Sequence, residues 1–310
     1  MCFPLSQMTS RIIPVLSLAI LLAAPRNTDS QTYNLKVSVD EVGLTFHATD
    51  IHGLSVNDLR LDELRLLDNG RPARRIVRFE SLRDLPIRAG ILLDTSSSMQ
   101  QNRPADQAIA LAYVQRILDQ KTDQAFIMSF GQRSTVRQAW SADPTALAAA
   151  IHQSGIFPST TAIFDTLYTA CRYQFGNLGD AASGNFILLF SDGEDDASFL
   201  PLQTAVDMCQ RTNTSIYTFR ADSPDSSATG LQPLAQLANL TGGHVFRDSA
   251  SPSEIDEDLH IIQANLRNQY HLVYSPASLS RDGSFHSIVL LPPDRVATIT
   301  TRSGYYAPAR

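Results

Sequence analysis

The stretch Ala89-Gly90-Ile91-Leu92-Leu93-Asp94-Thr95-Ser96-Ser97-Ser98 decides how this chain is read. A short apolar run turns at once into five oxygen-bearing side chains. Apolar residues without polar alternation mark a strand buried on both faces, as in a parallel sheet covered by helices. The spacing of Asp94, Ser96 and Ser98 sets three side-chain oxygens along one loop. All-oxygen ligation suits hard cations such as Mg²⁺. Hydroxyls complete a coordination shell without adding charge. A metal held largely by hydroxyls therefore stays able to take a carboxylate from outside.

Downstream, the periodicity alternates. Helices are predicted over 105–118, 143–153, 162–173, 200–211 and 231–240, the last stopped by Thr241-Gly242-Gly243. Strands are predicted over 125–130, 135–140, 185–190, 215–219 and 244–246. A long helix, capped by Ser253 with Asp256, should run to about residue 268. Buried strands alternating with helices predict an α/β domain over 88–269, a doubly wound, mostly parallel sheet covered on both faces. Such sheets bind ligands at the carboxyl ends of their strands. Two more oxygen-rich segments fall at such places. Ser191-Asp192-Gly193 follows the strand at 185–190, and Thr160-Thr161 precedes the helix that begins near Ala162. Glu194, Asp195 and Asp196 read as a solvated loop leading to the next helix.

Both flanks read as β. In 31–87, Leu35, Val37 and Val39 alternate with polar residues, 42–48 does the same, and Asp68-Asn69-Gly70 is a turn between 64–67 and 75–79. In 270–310, strands are predicted over 270–274, 285–291 and 296–301, with Arg281-Asp282-Gly283 as the turn between the first two. The C-terminal flank has about forty residues, close to where independent folding fails without staples. Its strand edges also need pairing. The two flanks are therefore expected to build one β-sandwich, with the α/β domain inserted into it.

The N-terminus reads as an address. Arg11 precedes an apolar run from Ile12 to Ala24, too short to cross a bilayer and followed by small residues. A secretory signal over 1–30, cleaved somewhere between 23 and 30, is expected, and with it a secreted or periplasmic protein. No other stretch is long and apolar enough to span a membrane. Cleavage removes Cys2 and leaves Cys171 and Cys209, which form a disulfide or stay as buried thiols. Their helices flank the strand at 185–190, and consecutive right-handed crossovers put such helices on one face of the sheet.

The 310 residues are 43% hydrophobic and 18% charged, the composition of a chain that buries a proper core. A net charge of −6 without a basic stripe argues against nucleic-acid binding. No Gly-x-Ser-x-Gly elbow, His-Glu-x-x-His or phosphate-binding Gly-x-x-x-x-Gly-Lys occurs, and the seven histidines are scattered. No enzyme is expected.

With these residues in view, the sequence resembles the von Willebrand factor A domains and their metal-ion-dependent adhesion site (MIDAS). The family's Asp-x-Ser-x-Ser is matched by Asp94, Ser96 and Ser98. Its threonine falls on Thr161, in Thr161-Ala162-Ile163-Phe164-Asp165-Thr166-Leu167, and its later aspartate on Asp192. The resemblance implies that the serines bind the metal directly and the aspartates largely through water. The segments at 270–276, 282–286 and 302–308 resemble a secreted bacterial group of related proteins known largely from Acidobacteria. The expected function is an exported, Mg²⁺- or Mn²⁺-dependent protein-binding module, whose metal holds an Asp or Glu of a partner protein. The alternatives are a structural or assembly protein of the cell envelope whose metal only stabilises the fold and, more weakly, a metal-assisted hydrolase.

Overall fold

Strand β5 (Ile87–Asp94) shows why the centre of the molecule is a doubly covered sheet. Its residues 87, 89, 91 and 93 face one hydrophobic cluster, Leu92 faces a second, and all are buried. Gly90 lies between them because the Phe126 ring would sit 2.6 Å from any Cβ there. The computed structural model describes residues 41–307 apart from 158–159, 179–182, 221–227, 248–250 and 279. The expected signal segment and the strand expected around Leu35 lie outside the described residues.

Around β5 run β6 (Gln124–Phe130), β7 (Ser134–Ser141), β8 (Gly184–Ser191), β9 (Thr214–Arg220) and β10 (Val245–Arg247). They form one sheet in the order β10-β9-β8-β5-β6-β7, parallel except for the edge strand β7. Helices α1 (Arg103–Ala112), α2 (Pro144–Gln153) and α6 (Pro252–Arg267) supply apolar side chains to one face. Helices α3 (Ile163–Thr169), α4 (Leu202–Arg211) and α5 (Ala228–Thr241) cover the other. This is the expected α/β architecture. Strand order reverses at β5, since the chain builds outward to β6 and β7 and then restarts beside β5 with β8. The switch point thus lies between the carboxyl ends of β5 and β8, where open α/β sheets place their ligands.

Local boundaries depart from the periodicity in three places. Helices α1 and α3 each end in a five-residue π turn, 113–117 and 170–174, where the sequence predicts plain helix. The cap of α6 is Ser251, whose side chain accepts from the Glu254 N–H while Glu254 reaches back to the Ser251 N–H. It is not Ser253 with Asp256, because Pro252 suits the first helical position and moves the start upstream. Cys171, in the π turn after α3, and Cys209, on α4, are joined as a disulfide with Cα atoms 5.0 Å apart.

The flanks interleave into two facing four-stranded sheets. One has the order β13-β1-β11-β4, from β1 (Val42–Thr49), β4 (Arg75–Leu82), β11 (Gln269–Ser275) and β13 (Thr298–Thr301). The other has the order β14-β12-β2-β3, from β2 (Arg65–Asp68), β3 (Arg71–Pro72), β12 (Phe285–Leu291) and β14 (Gly304–Tyr306). Each sheet thus takes two strands from either side of the α/β domain, and one hydrophobic core joins Leu44, Phe46 and Leu66 to Tyr270, Leu272 and Leu290. The Asp68-Asn69-Gly70 turn does not join the two strands expected around it. Asn69 and Gly70, both at positive φ, turn β2 into the two-residue β3, while β4 crosses to the opposite sheet.

The chain enters and leaves the α/β domain side by side. The Leu85 N–H donates to the Arg267 carbonyl, and the Arg267 guanidinium pairs with buried Asp123 at 2.6 Å. Asp123 also accepts from the Ile87 N–H. One aspartate therefore ties the first residue of β5 to the end of α6, which leads directly into β11.

Candidate metal centre

Each candidate residue sits at a strand end or on a loop above the sheet's carboxyl edge. Asp94 is the last residue of β5, and Asp192 follows the last residue of β8. Those strands pair in parallel with Leu93 opposite Phe190, so the two aspartates leave neighbouring strands together. The Asp94 carboxylate is buried and accepts from the Ser96 N–H (2.9 Å) and the Ser191 hydroxyl (2.8 Å). Ser96 and Ser98 bring their hydroxyl oxygens to 3.1 Å of each other. Asp192 accepts from the Glu194 N–H, and Gly193 between them takes φ +86°, a conformation glycine adopts without strain.

Thr161 comes from a third segment, fixed by backbone hydrogen bonds. The Phe157 N–H donates to the Thr95 carbonyl (2.8 Å), and the Ala162 N–H donates to the Gly131 carbonyl (2.9 Å). The Thr95 N–H donates to the Phe130 carbonyl (2.7 Å). The Thr161 N–H donates to the Asp196 carboxylate (2.6 Å), and the Thr161 carbonyl accepts from the N–H groups of Asp196 and Ala197. A closed circuit of hydrogen bonds therefore joins the three loops. Asp94, Ser96 and Thr161 are buried, while Ser98 stays exposed.

The acidic segment after Asp192 is more than the solvated loop read from sequence. Asp195 accepts from the Phe164 N–H at the start of α3 and from the Ser198 hydroxyl. Asp196 holds Thr161. Asp165 accepts from the N–H groups of Phe199 and Leu200. These carboxylates clamp the third segment to the second. The clue in the sequence was an Asp-Asp-x-Ser run in reach of a helix start with no Ser, Thr, Asp or Asn at its cap, since the cap of α3 is Ala162.

Electrostatics at the centre favour a cation. Burial pushes the Asp94 carboxyl up to about 6, the hydrogen bonds from Ser96 and Ser191 pull the other way, and the nearby Asp192 charge adds to the rise. No Lys or Arg pairs with Asp94 or Asp192 among the described residues. Two neighbouring buried carboxylates, with hydroxyls beside them and no basic side chain paired to them among the described residues, are a donor set that fits a hard divalent ion.

Residues 90–194 match the family model of the von Willebrand factor type A domain. No curated protein matches the chain. Among solved structures it is similar to a von Willebrand factor type A protein from Catenulispora acidiphila, at 13% identity and a TM-score of 0.45, over 81% of this chain and 75% of that one. It is similar to the vWF domain of the type V pili tip protein Mfa5 from Porphyromonas gingivalis, at 12% identity and a TM-score of 0.46, over 58% of this chain and 96% of that one. Proximal thread matrix protein 1 from the mussel byssus, with a zinc-occupied MIDAS motif, is also similar, at 16% identity and a TM-score of 0.49, over 64% of this chain and 49% of that one.

Proposed function

The chain carries a von Willebrand factor type A domain, and we propose that it is an exported module that captures a partner protein through a divalent metal. Ser96, Ser98 and Thr161 would hold Mg²⁺ or Mn²⁺ with their hydroxyls, and Asp94 and Asp192 largely through water. When bound, the ion supplies an electrophilic position for an Asp or Glu of the partner. The residues do the rest. Ser191 and the Ser96 N–H orient the Asp94 carboxylate, and Asp196 fixes Thr161. The observation that carries this reading is the pair of neighbouring carboxylates set among hydroxyls with no basic partner among the described residues. The same donor set offers no histidine among the described residues, which supports binding over catalysis.

Export is supported by the N-terminal apolar run and by the Cys171–Cys209 disulfide, a bond typical of oxidising compartments. Among the described residues no helix is long and apolar enough to cross a membrane. A pull-down from the native periplasm or medium tests the function. Capture should require Mg²⁺, fail in chelator and fail with Ser96→Ala. A partner retained by Ser96→Ala in chelator would instead assign the contact to the β-sandwich.

A further inference from the structure

Two features on the rim of the metal centre point to what the partner presents. A cleft of about 540 Å³ is lined by Ser97, Gln100, Arg103, Pro104, Gln107 and Ile156. Ser97 lies between Ser96 and Ser98, so the cleft opens directly beside those hydroxyls. Its lining carries one cation, neutral hydrogen-bonding groups and no carboxylate. The Arg103 Nη2 is buried with no hydrogen-bond partner among the described residues, and the charge of Asp106, on the same helix, acts on the guanidinium. A buried donor left unpaired costs stability that an incoming acceptor restores.

Seven residues after Asp192, in the same loop, Phe199 is 96% exposed. Its backbone is nonetheless pinned. The Phe199 and Leu200 N–H groups donate to Asp165 at 3.1 and 2.9 Å, and the Ser198 N–H donates to Asp195 at 3.0 Å. Phe157, 55% exposed, is held by its bond to the Thr95 carbonyl. Aromatic rings that water surrounds, on backbone already immobilised, have the make-up of interface anchors, because little further ordering is lost on docking.

We propose that the captured partner is an acidic peptide segment that carries, beside the metal-bound carboxylate, a second carboxylate for Arg103 and an apolar side chain for Phe199 and Phe157. This rests on the carboxylate-capture reading above. Arg103 and Phe199 then set specificity, while the metal sets the requirement for an acid. The Arg103 guanidinium and the exposed rings select among acidic segments, which the metal alone would bind alike.

The test is a bead-displayed library of nine-residue peptides with a fixed central Asp, screened against the full chain in Mg²⁺ and in EDTA. Arg103→Met and Phe199→Ser are screened in parallel, each first shown to keep the Mg²⁺-induced rise in melting temperature. The wild-type chain should enrich a flanking Asp or Glu and a flanking apolar residue in Mg²⁺ only. Arg103→Met should lose the flanking acid and weaken the best peptides about tenfold, and Phe199→Ser should lose the apolar preference with a similar weakening. Mg²⁺-dependent peptides with the same flanking preferences in all three proteins would overturn this inference and leave carboxylate capture standing. A screen with no Mg²⁺-dependent peptide would overturn both.

Discussion

Two aspartates at strand ends, Asp94 in the α/β domain and Asp68 in the sandwich, are almost equally buried, at 2% and 3% exposure. Their surroundings differ. Asp68 ends β2 and is saturated by donors from the other flank: the Tyr274 hydroxyl (2.7 Å), the Tyr305 hydroxyl (2.8 Å) and His286 Nδ1 (2.7 Å). Tyr274 reaches it from the opposite sheet, so the network crosses the sandwich core. Asp94 has a hydroxyl and an N–H, and a second carboxylate nearby. A buried carboxylate with its hydrogen bonds complete holds a fold together. One left beside a like charge asks for a cation. The difference separates a structural acid from a functional one where burial alone does not.

Mutation separates the two aspartates most visibly. Asp68→Ala removes the shared acceptor of two buried hydroxyls and an imidazole N–H, and should destabilise the protein by about 3 kcal/mol. Urea unfolding would measure that, and any Mg²⁺-induced stabilisation should survive in proportion. A loss under about 1 kcal/mol would show that the network can rehydrate. Asp94→Asn should act the other way in metal-free protein. It removes a buried charge facing Asp192, and should leave stability unchanged or raise it by about 1 kcal/mol. A clear loss of stability in EDTA would make Asp94 a structural residue like Asp68.

A smaller effect sharpens the contrast from the sandwich side. His47 on β1 gives its Nδ1 proton to the Asn268 carbonyl at the end of α6, and its Nε2 is buried with no hydrogen-bond partner among the described residues. Burial lowers its pKa, with the Asn268 bond opposing. A histidine whose folded pKa lies below its unfolded value near 6.5 binds fewer protons folded than unfolded. Its contribution is therefore complete above about pH 6.5 and is lost as pH falls below that. Melting temperature measured from pH 7.5 to 5 should fall less steeply in His47→Gln than in the wild type. Parallel curves would remove His47 from the pH response.

Legibility in the sequence tracked the range of the interaction. The apolar runs at 91–93 and 186–190 announce buried strands because alternation is absent, and the oxygen-rich segments behind them are contiguous with those runs. The flanks' need for a shared core was legible from their size and edges. Long-range polar contacts were not. Asp68 reads as part of an Asp-Asn-Gly turn, since its partners lie more than 200 residues away. Asp195 and Asp196 read as loop charge because their acceptor role depends on where Thr161 and Phe164 arrive. The crossing of β4 to the opposite sheet was hidden too, since a strong turn signal fixes a reversal but not the length of the strand that follows it.

Asp94, Ser96, Ser98, Thr161 and Asp192 are proposed to hold one divalent ion together. Calorimetric titration of Mn²⁺ or Mg²⁺ into chelator-stripped protein tests it most directly, with Ser96→Ala and Asp94→Asn alongside. The wild type should show a single saturable site, lost in both variants while their far-ultraviolet circular dichroism stays unchanged. An equal titration in folded Ser96→Ala would place the ion elsewhere.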